Sequence, residues 1–562
     1  MQRSKWLILM LSLVMVTSLT LAACGSGGTS GDPADEGTSE GDTATSEEGA
    51  PDEVQELHIT ENQEPPDLDS AKSTDSVSFT ILNNVNEGLM RLDENNEPVP
   101  GMAEGEPEVS EDGLTYTFKL RDANWSDGTP VTAHDFEYAW KRALDPETAS
   151  QYAFILYYIK NAEAYNAGEA EADDVGVKAL DDKTLEVELE RPVPYFLSLT
   201  AFATYLPQKQ EFVEEQGDNY AKEDDALLYN GPFVLQNWEH EAGWELAKNE
   251  QYWDAENVQL DLITVNVVKE TSTSVNLYES GEIDRTQGLT SDYVSQFKDR
   301  EDYQERMEYT LFYIVPNMNN EFLANDKIRK AIASAFDKEA HAEVILNNGS
   351  VPAYGLVPPE MPGPEGQTFR EANGDLKPAA TVEEAKQLFE EGLKELGLDE
   401  PPAVEYLTDD TEGARRSAEF MQEELRKNLG LELKINQQTF ASRLDLSREG
   451  KFELVLSGWG ADYNDPLSFM DLFITDGPYN DGDWSNPDYD DAIEFAMTSN
   501  DPAERMQRLL DAEPLLIEDA GIIPVYFRGQ GYLWQPYVKE LYHHPYGPEW
   551  SFKWAYISGK EQ

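Results

Sequence analysis

Stretches in which apolar residues recur every two residues alternate along most of the chain with stretches in which they recur about every 3.6 residues. Three segments predict β-strands, because they alternate apolar and polar side chains or consist largely of strand-forming residues. They are 114–120, 185–189 and 262–268. Between the first two, Thr132 and Asp135 have the spacing of a capping box, which predicts the start of a helix. One face of that helix is apolar and carries Phe136, Ala139, Trp140, Ala143 and Leu144.

The later part of the chain alternates helices and strands. Thr381 and Glu384 form a second capping box before a helix that stops at Gly397. The buried stripe of that helix is predicted to be Ala385, Leu388, Phe389, Leu393 and Leu396. Residues 403–407 predict a strand. The next helix is closed by Gly430, and its apolar residues are Ala414, Ala418, Met421, Leu425 and Leu429.

Further strands are predicted at 431–435 and 453–457. The order strand, helix, strand over 403–435 is typical of a right-handed parallel unit and therefore of an α/β lobe. Ligands of open α/β sheets bind beyond the carboxyl ends of the strands. The segment directly after Ser457 is therefore the first place to expect a binding site.

The start of the chain has the pattern of a secretory signal. Arg3 and Lys5 precede an apolar run over 6–21, and two alanines come directly before Cys24. This resembles the bacterial lipobox, so residues 1–23 are predicted to be a signal peptide and Cys24 the lipidated residue. An ordinary signal or uncleaved anchor with an incidental cysteine is the alternative. Residues 24–53 are predicted to be the lipidated cysteine and an acidic, disordered tether.

Composition excludes several classes of protein. Asp and Glu number 110 against 42 Lys and Arg, giving a net charge of −68, which would repel nucleic acid. This acidity is typical of a protein in a saline or alkaline exterior, and cation collection is the alternative. The single cysteine excludes intrachain disulfides and cysteine-based zinc clusters.

Sequence motifs for catalysis are weak throughout. The six histidines form no metal-binding helical pair, and no phosphate-binding loop is present. Residues 37–41 match G-x-S-x-G but lie in the tether, without the strand and helix that a hydrolase needs. The acidic stretch 476–491 lacks the spacing of a calcium loop. No enzyme, cofactor or metal site is therefore predicted.

Several blocks of sequence together carry a resemblance. These are NEGL at 86–89, VPGMAE at 99–104, GLTYTFKLR at 113–121, WSDGTPVTA at 125–133, YNGPF at 229–233, and GWGADYNDP at 458–466. They resemble the extracellular solute-binding proteins of peptide-importing ABC transporters, solute-binding family 5. Within that family they are most similar to the oligopeptide-binding (OppA-type) lipoproteins.

The resemblance implies an α/β, two-lobed, periplasmic-binding-protein-like fold of the class II type, with an additional domain, mixed sheets flanked by helices, and a hinged cleft. The chain path would be discontinuous. The implied segments are the first part of lobe 1 at 54–100, the additional domain at 101–207, the second part of lobe 1 at 208–350, lobe 2 at 351–528, and the C-terminal part of lobe 1 at 529–562.

The resemblance also implies a function. The protein would be a membrane-anchored, monomeric receptor that binds short peptides between its lobes and delivers them to the permease of an ABC importer. It would face the extracellular side, or the periplasmic side where an outer membrane exists. Other solutes on the same scaffold stay open: a dipeptide, a nickel chelate, haem or an oligosaccharide. A secreted hydrolase is the other alternative.

The implied binding residues carry over from the family one by one. Asp462 would receive the peptide ammonium, Trp459 would line a side-chain pocket, and Glu87 would be an acid near the peptide start. Four aromatic residues match cleft positions: Tyr158, Tyr354, Tyr526 and Phe527. Some relatives carry an arginine three residues before the tryptophan, where this chain has Leu456. Neutralisation of the peptide carboxylate, and hence peptide length, stays open.

Overall fold

The computed structural model describes residues 50–377, 380–499 and 501–560, and three β-sheets form the framework of these residues. Cys24 and the predicted signal peptide lie outside these ranges. The strands are β1 Glu56–Glu61, β2 Met90–Leu92, β3 Pro98–Pro100, β4 Glu108–Val109, β5 Thr115–Lys119, β6 Val177–Asp181, β7 Thr184–Glu188, β8 Phe233–Glu239, β9 Gly243–Lys248, β10 Leu262–Val267, β11 Tyr303–Pro316, β12 Val351–Pro352, β13 Val404–Asp409, β14 Leu433–Gln438, β15 Leu454–Gly460, β16 Ile523–Leu533, β17 Val538–Lys539, β18 Tyr542–His543, β19 Trp550–Ser551 and β20 Tyr556–Ile557.

Helices flank these sheets. They are α1 Ser76–Val85, α2 Ala133–Leu144, α3 Ala162–Asn166, α4 Phe196–Leu199, α5 Gln210–Gln216, α6 Thr271–Ser280, α7 Ser291–Phe297, α8 Asp326–Ser334, α9 Lys338–Ala340, α10 Phe369–Asn373, α11 Val382–Glu395, α12 Glu412–Leu429, α13 Phe440–Arg448, α14 Leu467–Met470, α15 Pro487–Thr498 and α16 Pro502–Glu518. Among the described helices, none is both long and apolar enough to cross a bilayer.

The first sheet has four strands in the order β1-β10-β9-β8. Its outer strand β1 runs parallel to β10, with Ile59 opposite Val265, and both of these side chains are buried. The other neighbours in this sheet are antiparallel. The predicted strand at 262–268 is therefore confirmed as β10.

The second sheet also has four strands, in the order β4-β5-β7-β6, and all its pairs are antiparallel. The strands predicted at 114–120 and 185–189 become neighbours, with Tyr116 opposite Val187. Helix α2 begins at the predicted capping box, where the Thr132 N–H donates to the Asp135 carboxylate at 2.7 Å. Its whole predicted apolar face is buried, which confirms the predicted orientation.

The third sheet has six strands in the order β12-β16-β11-β15-β13-β14. Strands β13 and β14 are parallel and are joined by α12, which confirms the predicted parallel unit. Strand β15 is parallel to β13, while β11 is antiparallel to both β15 and β16. The predicted α/β class with mixed sheets flanked by helices is therefore confirmed.

The place of strand β11 in the fold differs from the predicted division of the chain into lobes. Residues 208–350 were assigned to the first lobe, yet Tyr303–Pro316 lies inside the six-stranded sheet because it pairs with β15 along one edge and β16 along the other. The pattern of apolar residues could not show this, because partner choice depends on strands about 140 and 220 residues further along the chain. The other predicted segment boundaries stay predictions.

The six-stranded sheet has its own apolar core. Ile328 of α8, Phe389 of α11, and Met421 and Leu425 of α12 pack in one cluster with residues of β13–β16. Helix α12 ends at Gly430, whose φ of 70° lies in the left-handed region that glycine adopts without strain. This packing holds the carboxyl ends of β13 and β15 in fixed positions, and those ends carry the site.

Candidate functional site

The site lies where two parallel strands separate. Strands β13 and β15 pair only at Tyr406–Leu454 and Leu407–Val455, whereas β15 stays paired with β11 as far as Gly460. Beyond Val455, one edge of β15 therefore has no strand partner in the described part of the chain. This is the carboxyl end of the parallel strands, where the sequence predicted a binding site.

Two adjoining cavities occupy this region, of about 140 Å³ and about 200 Å³, and together we call them the central cleft. The smaller cavity contains Asp462 and residues 458–461, and the larger contains Arg416 and Tyr526. The residues that line both are Gln63, Ser76, Phe312, Asp409, Arg528 and Glu549. The two cavities therefore adjoin along these shared residues.

Asp462 is the buried acid of the smaller cavity, with only 6% of its surface exposed. The Tyr152 hydroxyl donates to its Oδ1 at 3.0 Å, whereas Oδ2 has no hydrogen-bond partner among the described residues. Burial raises the pKa of Asp462 well above its usual value; the Tyr152 hydrogen bond opposes that rise and the charge of Asp471 adds to it. A cation that reached Oδ2 would stabilise the ionised carboxylate.

Trp459 forms one wall of the same cavity. Its ring stacks on Tyr152 at 5.9 Å between centroids with an interplanar angle of 9°. Tyr479 packs edge-on against Trp459 at 4.6 Å. Stacked and edge-to-face rings stabilise one another beyond the area they bury, so this wall is rigid beside Asp462.

Arg528 lies at the junction of the two cavities. It is paired with Glu308 and Glu549, and these carboxylates raise its pKa above the usual value even though burial acts in the opposite direction. Beside it, Phe312 stacks on Tyr526 with centroids 4.8 Å apart and an interplanar angle of 6°. Tyr526 lines the larger cavity.

The rest of the cleft carries further charge. Two cations line the larger cavity: Lys269 bonds to Asp410 at 2.6 Å, and Arg416 bonds to Asp292 at 2.8 Å. Arg443 of the smaller cavity bonds to Asp409 at 3.1 Å. Basic side chains, each paired with an acid, therefore line both cavities, and Asp462 lies in the smaller one.

Asp75 is a second buried acid of the smaller cavity. It caps α1, because its carboxylate accepts from the Ser78 N–H at 2.9 Å and the Ser78 hydroxyl at 2.7 Å. Burial raises the pKa of Asp75 to about 6, although both hydrogen bonds to Ser78 lower it. Its oxygens are therefore already occupied, unlike Oδ2 of Asp462.

Glu87 and Phe527 lie away from the central cleft. Glu87 is 1% exposed and pairs with Arg91 at 3.0 Å, while the Tyr252 hydroxyl donates to it at 2.6 Å. Although burial alone would raise it, the charges of Arg91 and Lys553 hold the pKa of Glu87 below its usual value. Phe527 is a buried core residue. Neither residue lines the cleft.

Tyr158 and Tyr354 line two other cavities. Tyr158 lies in a third cavity, with the Arg191 guanidinium 5.2 Å from its ring centroid. Tyr354 lies in a separate groove between Lys338 and Lys377, whose ammonium groups are 5.1 Å and 4.4 Å from its ring centroid. The structure therefore brings Asp462, Trp459 and Tyr526 together in the central cleft and places Tyr158 and Tyr354 elsewhere.

Sequence reasoning missed several residues of the cleft. Asp409 had a usable signal, because it lies two residues beyond the parallel strand predicted at 403–407. Tyr152, Phe312, Arg443 and Arg528 had none, because nothing in the local pattern distinguishes them from ordinary core or surface residues. Within the described ranges, no group of three or more His, Cys, Asp or Glu side chains could hold a metal ion.

Comparisons with known proteins show the family of this chain. The model of the bacterial extracellular solute-binding proteins, family 5 Middle, matches residues 97–481. The dipeptide-binding protein DppE of Bacillus subtilis is 38% identical over 501 residues, covering 89% of this chain and 91% of the relative. The oligopeptide-binding protein OppA of that species is 36% identical over 537 residues, covering 93% and 94%.

A solved structure extends the likeness to the fold. Listeria monocytogenes OppA bound to peptide has a TM-score of 0.87 and 40% identity, covering 90% of this chain and 100% of that one. This confirms the predicted two-lobed α/β fold and the predicted family. The chain belongs to the bacterial extracellular solute-binding proteins of family 5.

Proposed function

We propose that this protein is the receptor of a peptide-importing ABC transporter, which binds short peptides in the central cleft and passes them intact to the permease. The observation that carries the proposal is the carboxylate of Asp462, which is buried in the cleft and has one oxygen without a partner in the described ranges. Relatives named as dipeptide- and oligopeptide-binding proteins support it.

The ammonium group at the start of a peptide fits Asp462. Every unmodified peptide has this group, so one buried acid recognises the whole class without regard to side chains. A charge-assisted hydrogen bond to Oδ2 would supply about 1.5–3 kcal/mol. Trp459 and Tyr152 exclude water on one side of the carboxylate, which strengthens the interaction.

The peptide backbone has a partner in β15. Residues 458–460 line the smaller cavity and belong to the strand edge that lacks a neighbour in the described chain. A peptide in extended form would pair with this edge as an added strand, through main-chain hydrogen bonds that any sequence can make. Binding of many different peptides follows from this.

The far end of the peptide would meet positive charge. Arg416 and Lys269 line the larger cavity, and Arg528 lies at the junction. Their present acidic partners are side chains of the protein, so a peptide carboxylate would compete with them. The position along this row at which the carboxylate binds sets peptide length, and Trp459 at the near end favours peptides longer than two residues.

The setting of the receptor follows from the family and the start of the sequence. The protein would act outside the cell, held on the membrane by lipid on Cys24 and facing the extracellular side, or the periplasmic side where an outer membrane exists. One acyl chain holds a protein only marginally, so more than one chain is expected on this cysteine. A monomer suits a receptor that delivers its cargo to a permease.

Equilibrium titration with a mixed peptide pool tests the proposed function. Mass spectrometry would identify what stays bound and whether it is cleaved. Intact peptides of three or more residues are expected. Recovery of fragments would support the hydrolase alternative, and recovery of only dipeptides, a sugar, haem or a metal chelate would overturn the proposal in favour of that solute.

A further inference from the structure

A third cavity lies beside the central cleft and is larger than either part of it, at about 550 Å³. Residues 150–166 form one side and residues 471–498 the other. Of the residues that the structure describes, none lines both this cavity and the cleft. Tyr479 lines the third cavity, whereas Tyr152 and Trp459, which its ring contacts, line the cleft. An aromatic wall therefore separates two distinct spaces.

Asp471 is the buried acid of this third cavity. It is 6% exposed, and within the described part of the chain its Oδ1 has no hydrogen-bond partner. The nearby Arg505 does not pair with it, because its guanidinium donates to both oxygens of Asp465, at 2.9 Å and 2.7 Å. Burial raises the pKa of Asp471 to about 8, and the charge of Asp465 adds to the effect. A buried carboxylate is unfavourable without a positive partner.

The rest of the lining also suits a positive ligand. The lining contains one basic residue, Arg191, and four further acids. These acids are Glu163, Asp476, Asp490 and Glu494. Four aromatic rings and a methionine belong to the same lining: Phe154, Tyr157, Tyr158, Tyr479 and Met497. One of these rings already holds a cation, since the Arg191 guanidinium lies 5.2 Å from the Tyr158 centroid. Aromatic rings beside carboxylates recognise ammonium groups.

We propose that the third cavity is a second ligand site, separate from the central cleft, which binds a small organic cation with primary ammonium groups. One ammonium would bind Asp471, and the carbon chain would pack among the aromatic rings. A second ammonium at the other end would meet the outer acids, so linear diamines are the expected class. A volume of about 550 Å³ is within the usual range for small-molecule sites.

Calorimetric titration with cadaverine tests this site, at an ionic strength of about 0.15 M so that diffuse attraction to the acidic surface is screened. The wild type is expected to bind one cadaverine, and Asp471→Asn to bind it at least about 10-fold more weakly. Asp462→Asn, the matched change in the cleft, is expected to alter cadaverine affinity less than about 2-fold. The neutral analogue 1,5-pentanediol is expected not to bind.

The two sites are distinguished by the ligands they lose. Cadaverine binding that is lost in Asp462→Asn but kept in Asp471→Asn would place the amine in the cleft and overturn the proposal. Equal cadaverine affinity in both variants and the wild type would also overturn it. A measurement without variants uses wild type saturated with peptide, which must still bind one cadaverine. Displacement of cadaverine by peptide would refute a separate site. Peptide affinity itself should survive Asp471→Asn.

Discussion

Replacement of Asp462 by asparagine is the most direct test of how peptides are held. The change keeps the size of the side chain and removes the charge from a residue that is 6% exposed. Oδ1 already accepts from Tyr152 at 3.0 Å, so Oδ2 is the oxygen left for the peptide ammonium. The variant therefore removes one charge-assisted hydrogen bond and leaves the ammonium without its partner.

The expected loss follows from that single interaction. A bond worth about 1.5–3 kcal/mol corresponds to a loss of affinity of about 10- to 150-fold. An N-acetylated peptide has no ammonium, so its affinity should change less than about 2-fold. The matched control is Asp135→Asn, which also removes a buried carboxylate but lies at the start of α2, away from the cleft. It should leave the affinity for both peptides unchanged.

The pH profile gives an independent measurement of the same interaction. Because burial raises the pKa of Asp462, an ammonium that binds there must displace a proton at low pH. Wild-type affinity for free-amine peptides should therefore rise as the pH increases from about 5 towards the pKa of the peptide amine, about 7.7–8.0. Asp462→Asn should lack this rise.

Calorimetric titrations of both peptides at several pH values, on protein freed of endogenous ligand, would measure these effects. Equal losses for the free and acetylated peptides would refute the role of Asp462 as the ammonium partner. Parallel pH profiles for wild type and Asp462→Asn would refute it as well, since the carboxyl group would then take no part in the linked proton release.

Three further predictions concern stability and location. A carboxyl group with a raised folded pKa lowers stability as the pH rises above its unfolded value of about 3.9, so peptide-free Asp462→Asn should have a higher Tm than wild type at pH 8 and about the same Tm at pH 4; a higher Tm for the wild type at pH 8 would contradict the buried, unpaired carboxylate. Leu425→Ala, in the core under α12, should lower the free energy of unfolding by about 2–5 kcal/mol in denaturant titrations, against about 0.5 kcal/mol or less for the exposed Glu419→Ala on the same helix; equal losses would show that the helix face is assigned wrongly. Cys24→Ser should release the protein from cells into the medium, as followed by immunoblot of cell and medium fractions, whereas retention on the membrane would contradict the lipid anchor.

The local sequence pattern was sufficient to predict the helices and strands whose apolar residues repeat with a clear period. The capping boxes at Thr132 and Thr381 marked the starts of α2 and α11, and Gly430 marked the end of α12. The parallel order of β13 and β14 also followed, because a strand, a helix and a strand in short succession have one favoured arrangement. These features depend on residues close together in the chain.

Only some residues of the binding site could be predicted from the sequence. Asp462 and Trp459 were identified through a run of residues shared with a family, and nothing in the period of the sequence distinguishes them. Tyr152, which orients the carboxylate of Asp462, lies 310 residues away along the chain. Arg528 meets Glu308 across 220 residues. Such pairs become neighbours only through the path of the folded chain.

The sequence by itself determined the α/β class, the helices with capped ends and apolar stripes, the parallel unit, and the acid on which peptide recognition is proposed to depend. Tertiary structure alone decided that β11 joins the six-stranded sheet and that one edge of β15 has no strand partner from the described residues near Asp462. It also decided that Glu87 is buried with Arg91 instead of lining the cleft. The physical reason is range. Periodicity and capping act over a few residues, whereas strand partners, burial and ion pairing depend on segments hundreds of residues apart.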